Sequence, residues 1–193
     1  MFKKIAYTAL LLAFFAFNAM AQANYPTPVE HDYIVKDFVF ESGEKLAALR
    51  LHCVTIGEVH KDRTGNIKNA VLIMHGTTGS SKSLITDRFA GHLFGPGQLL
   101  DASKYFIVLT DGIGHGKSSK PSDGLHMRFP KYTYNDMVKA QYLLITQYLG
   151  ISHLRLVMGT SMGAMHTWVW GYTYPDFMDA LMPLASLPVE IAG

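Results

Sequence analysis

The pentapeptide Gly159-Thr160-Ser161-Met162-Gly163 constrains this chain more than any other segment. The G-x-S-x-G spacing alone is cheap, because Gly and Ser are common. Its surroundings are not. Leu154 to Met158 precede it as a short apolar run that reads as a buried strand, and Ala164 to Trp170 follow with the look of a helix. A serine on a tight turn between a buried strand and a helix has its hydroxyl pushed out at the end of a sheet. Such a turn is strained, and side chains at 159 and 163 would collide with neighbouring backbone. The helix N-terminus adds partial positive charge beside any oxyanion that forms there. A serine in an ordinary turn is the bland alternative, and both flanks argue against it.

The other apolar runs agree with a parallel sheet. Ala70-Val71-Leu72-Ile73-Met74 and Tyr105 to Thr110 are continuous apolar segments, as central strands buried on both faces require. Ile34–Phe40 and Leu46–Ile56 read as two strands joined through Ser42-Gly43-Glu44. Tyr134 to Leu149 has helical periodicity and Gly150 closes it. Asp176 to Leu181 starts a further crossover, with Met182 to Leu187 as its strand and Asp176 as an N-cap. This strand–helix rhythm gives an α/β fold, mostly parallel, in one domain from residue 22 to 193. In such sheets a site lies beyond the carboxyl ends of the strands. His75-Gly76-Thr77, Asp111-Gly112 and Ser161 all fall there.

Residues 1–21 read as a secretory signal peptide: Lys3-Lys4, an apolar run from Ile5 to Phe17, then Ala19-Met20-Ala21. That implies a periplasmic or secreted protein with no stable membrane anchor after cleavage. The net charge of +2 includes Lys3 and Lys4, so cleavage leaves 15 basic against 15 acidic residues. A balanced charge argues against a nucleic-acid partner. Cys53 is the single cysteine, set in an alternating strand pattern, and reads as a buried apolar filler. Gly112-Ile113-Gly114-His115-Gly116 is not the dinucleotide fingerprint, and Asp111 stands where a phosphate loop needs its first Gly. No spacing of His, Asp or Glu suggests a metal, His52 and His60 included, and no cofactor is implied.

Several motifs coincide in order. They are Gly95-Pro96-Gly97, Asp101, Tyr105-Phe106, Asp111 to Pro121, Tyr134 to Val138, Leu149-Gly150-Ile151, Gly159 to Gly163 and Tyr174-Pro175-Asp176. Together they resemble the homoserine O-acetyltransferase-like branch of the α/β-hydrolase superfamily. The resemblance implies a mostly parallel sheet with helices on both faces, with about six of eight strands present. It implies acyl transfer through Ser161 on a small acyl ester or thioester, with the oxyanion against the backbone N–H groups of Thr77 and Met162. His75, Gly76, Gly159 and Gly163 would shape the elbow and the oxyanion loop. The sequence departs from the branch at Gly163-Ala164-Met165-His166, where the acetyltransferases carry a second glycine and Gly-Met-Gln. An exported chain would also not meet acetyl-CoA, a cytosolic donor. An exported ester hydrolase is therefore the leading expectation. An acyltransferase, or a non-catalytic remnant, is the alternative.

The triad order is Ser, acid, His. Downstream of Ser161 stand only His166, Asp176, Asp179 and Glu190. His166 lies five residues along the same helix and points away from Ser161, toward helix packing or solvent. Glu190, past the sixth strand, occupies an occasional position for the acid. His75, His115 and His126 precede the serine; His75 shapes the oxyanion loop and His115 belongs to the Gly-rich loop. The expectation is that the catalytic acid and histidine are not in this chain and that it is part of a longer protein.

Overall fold

The computed structural model describes residues 24–189. The signal peptide and Glu190 lie outside the described residues.

Six strands form one sheet in the order β1-β2-β4-β3-β5-β6. β1 (Val29–Val39) and β2 (Lys45–Ile56) make an antiparallel hairpin, and β2 pairs antiparallel with β4 (Phe106–Thr110). β3 (Ala70–Met74) runs parallel to β4 and to β5 (Leu156–Thr160), and β5 runs parallel to β6 (Leu181–Leu184). All five residues of β3 are buried, as its unbroken apolar run requires. Alternate residues enter opposite cores. Leu72 and Met74 pack with Val108, Val157 and Trp170, whereas Val71 and Ile73 pack with Ile107, Leu109 and Phe94.

Helix α2 (Tyr134–Leu143) and helix α3 (Met162–Thr173) supply the first core. The second face is covered by residues 81–102, which include a 3-10 turn at Ser81–Leu84 and the one-turn helix α1 (Ala90–Leu93). α2 starts at a capping box: the Thr133 side chain accepts the Asp136 N–H, and the Asp136 carboxylate accepts the Thr133 N–H at 3.0 Å. The other Asp136 oxygen accepts the Glu41 N–H at 2.8 Å, tying the helix start to the β1–β2 hairpin.

Four boundaries differ from the sequence reading. β1 begins at Val29, because His31 to Val35 pair continuously with Cys53 to Leu49. The helix expected through Leu149 widens at Leu144–Tyr148 into a π turn, where the Thr146 hydroxyl donates to the Tyr142 carbonyl at 2.7 Å. β5 spans Leu156–Thr160 rather than 154–158, because its register pairs Val71 with Leu156 and Met74 with Gly159; Leu154 makes only an isolated bridge to Met178. Asp176 is not an N-cap and opens no crossover. It sits inside a single 3-10 turn (Pro175–Phe177), α3 is itself the β5-to-β6 connection, and β6 is Leu181–Leu184, ended by Ala185 at φ +58°.

The registers align the carboxyl ends that matter. Met74 pairs with both Thr110 and Gly159, so the loops after β3, β4 and β5 leave the sheet side by side.

Candidate active site

Ser161 stands between β5 and α3 at φ +53°, ψ −116°, a conformation that L residues rarely adopt. Three hydrogen bonds hold its backbone. Its N–H donates to Leu184 O at 2.9 Å, and its carbonyl accepts from Ala164 N–H at 2.9 Å and Met165 N–H at 3.1 Å. The side chain is exposed. The glycines on either side let two backbones meet. A Cβ at Gly159 would overlap the Gly163 carbonyl, and one at Gly163 would overlap the carbonyls of Met74 and His75. The start of α3 is thus pressed against the end of β3.

That contact brings the loop after β3 beside the serine. A Cβ at Gly76 would lie 3.4 Å from Ser161 Cβ. Thr77 follows in an exposed loop. Met162 is the first residue of α3, so its N–H has no intrahelical acceptor. The two N–H groups singled out from the sequence therefore belong to the two backbone segments that flank Ser161.

Among the described residues, no histidine or carboxylate is hydrogen-bonded to the Ser161 hydroxyl. His75 is buried, and both of its ring nitrogens are engaged: Nδ1 with Gly76 O at 2.7 Å and Nε2 with Gly112 N–H at 3.2 Å. Burial, chiefly, pushes its pKa down. His115 Nδ1 meets Ile113 O at 3.1 Å, its ring centre 5.2 Å from that of His75. His126 is exposed on a 3-10 turn at φ +48°. His166 faces α2 and not solvent. Its Nδ1 lies 3.3 Å from the Gln141 amide nitrogen, whose oxygen accepts Trp170 Nε1–H at 2.9 Å. The Tyr134 ring meets His166 edge-on at 5.0 Å. Burial first, and then the imidazoles of His75 and His115, push the His166 pKa down to about 3.

The sequence places Asp111 at a strand end but does not show its role in joining two loops. Asp111 is a buried carboxylate that accepts Ser81 N–H at 2.5 Å and Lys117 N–H at 2.7 Å. It clamps the loop after β3 to the Gly-rich loop after β4. Gly116, at φ +51°, is packed so close that a Cβ there would overlap the Asp111 carboxylate. The signal was present as an acid followed by Gly112, Gly114 and Gly116, a loop that folds back over its own first side chain. Cys53 is fully buried, and burial pushes its thiol up to about 12, which leaves it chemically inert.

A family model described as the alpha/beta hydrolase fold matches residues 69–191. The homoserine O-acetyltransferase of Moorella thermoacetica is 37% identical over a 171-residue alignment that covers 79% of this chain and 44% of that protein. Among solved structures, an acetylester hydrolase from Corynebacterium glutamicum is similar with a TM-score of 0.71 and 29% identity, covering 80% of this chain and 43% of that one. The homoserine O-acetyltransferase of Bacillus anthracis has a TM-score of 0.66 and 28% identity, covering 80% and 45%. The chain therefore spans less than half the length of these relatives. The matched stretch runs from the start of β3 through the serine turn and β6, and on this match the chain belongs to the α/β-hydrolase fold family.

Proposed function

We propose that the protein is an acyl-transfer enzyme that carries a short acyl group on Ser161 and passes it to an alcohol, in the manner of a homoserine O-acetyltransferase. The observation that carries this is the strained, exposed Ser161 set beside Gly76 where the loops of three parallel strands converge. In this reading the Ser161 hydroxyl attacks the carbonyl of an ester or thioester. The oxyanion is held by the N–H groups of Thr77 and Met162, each contributing about 3 kcal/mol to lowering the barrier. Collapse expels the alcohol or thiol, and the acceptor hydroxyl then takes the acyl group. The reading needs a histidine base and its acid beyond residues 24–189. His75 has both nitrogens committed to backbone, and His166 is buried against Gln141.

Hydrolysis is the second reading, favoured by the likeness to an acetylester hydrolase and by the signal-like leader, which would place the enzyme in the periplasm or outside the cell. The two differ in where the acyl group goes. Protein from its native gene is supplied with a labelled acetyl thioester and homoserine, and the label is followed into O-acetyl product or free acetate. Transfer predicts acetate as the minor product. Acetate alone, at every homoserine concentration, selects hydrolysis.

A further inference from the structure

His75 lies one residue before the peptide unit that the acyl-transfer reading uses. The Gly76 carbonyl and the Thr77 N–H belong to the same peptide group, which is planar and trans, so fixing one end fixes the other. The Gly76 carbonyl is held twice. His75 Nδ1 lies 2.7 Å from it, and Gly79 N–H donates to it at 2.9 Å. The remaining ring nitrogen, Nε2, faces the Gly112 N–H at 3.2 Å. A backbone N–H can only donate, so Nε2 must be the bare nitrogen and Nδ1 must carry the proton.

We infer that His75 is a positioning residue, a neutral Nδ1–H imidazole that anchors the Gly76 carbonyl and thereby aims the Thr77 N–H away from it, toward the oxyanion at Ser161. The inference rests on the acyl-transfer reading above. The ring does more than fill space. It joins the loop after β3 to the loop after β4, and donation to the Gly76 carbonyl polarises the same amide whose N–H faces the substrate. Protonation at Nε2 would set two donors against each other and open the Gly112 contact. The titratable groups around it are His115 and Asp111 from the loop after β4 and His166 from α3. Burial favours the neutral ring, in keeping with the role.

The test compares His75→Leu with His75→Asn, because an Asn amide N–H sits two bonds beyond Cβ, as Nδ1–H does. Ester turnover by the His75→Leu variant should lose about tenfold or more in kcat with KM held within about twofold. The His75→Asn variant should recover most of that loss. Imidazole nitrogen spectra of the labelled wild-type protein should show Nδ1 protonated and Nε2 bare, whether or not the variants fold. An Nε2-protonated ring, unchanged kcat in the leucine variant, or asparagine performing no better than leucine overturns the inference. Ser161→Ala is run alongside: turnover that survives it removes the acyl-transfer reading itself, an outcome separate from the tautomer measurement.

Discussion

The strain at Ser161 and the burial of His166 are two consequences of the same helix. α3 must start hard against β3, so it admits no side chain at 159 or 163, and the serine takes the positive φ that the turn demands. Five residues on, the helix has turned His166 into the interface with α2, where Gln141, itself held by Trp170, meets it. The geometry at 159 to 163 was legible in the sequence because glycine is the residue that permits such an approach. That His166 turns away from Ser161 followed from helical periodicity. Its complete burial did not, because periodicity says nothing of what covers a helix face. Burial gives His166 a pH signature. Its folded pKa of about 3 lies below the ordinary histidine value, so well above pH 6.5 the ring is neutral in both states and adds no pH dependence. As pH falls from 6.5 toward 3, only the unfolded chain takes up the proton, and stability falls by up to about 1.4 kcal/mol per pH unit from this group. Urea unfolding between pH 7 and 5 should show that slope, and His166→Gln should flatten it. His75 and His31, also lowered by burial, leave a remaining slope of the same sign.

At the scale of elements, the strands were easier to read than their ends. The apolar run 70–74 matches β3 residue for residue because a strand buried on both faces has no other composition open to it. β5 slid two residues toward the serine because its partner, and not its own hydrophobicity, sets the register. The π turn after Leu143 contains a Thr146 hydroxyl bonded to the Tyr142 carbonyl, a feature that no hydrophobic pattern encodes. The Tyr134-Asn135-Asp136 segment, part of the family likeness, has a structural meaning. Asp136 is fully buried, caps α2 and holds the β1–β2 hairpin through Glu41 N–H. Asp136→Ala leaves two backbone donors without that acceptor and should cost about 2–4 kcal/mol in unfolding free energy. Thr133→Ala, which removes the acceptor of the Asp136 N–H and the hydroxyl that donates to the Glu41 carboxylate, should cost about 1 kcal/mol. Equal losses in the two variants, measured by chemical denaturation, would show that the bond from Glu41 N–H to Asp136 adds nothing beyond the cap.

For the molecule as a whole, the sheet order explains why the carboxyl end of its central strands collects the chemistry. β3 lies between β4 and β5, so the loops after these three parallel strands emerge together, and Asp111 and His75 tie two of them into one rigid unit around Ser161. The sequence placed His75, Gly76, Asp111 and Ser161 at strand ends. It could not show that Asp111 acts as the clamp, because that role depends on Ser81, thirty residues upstream, arriving on the same carboxylate. An acyl group carried on Ser161 can be trapped. Protein from its native gene is mixed with p-nitrophenyl acetate, quenched in acid within a turnover, digested, and its peptides weighed. One acetyl group is expected on the peptide containing Ser161, and none anywhere after Ser161→Ala. Acetyl on another residue, or steady ester turnover by the alanine variant, would contradict it.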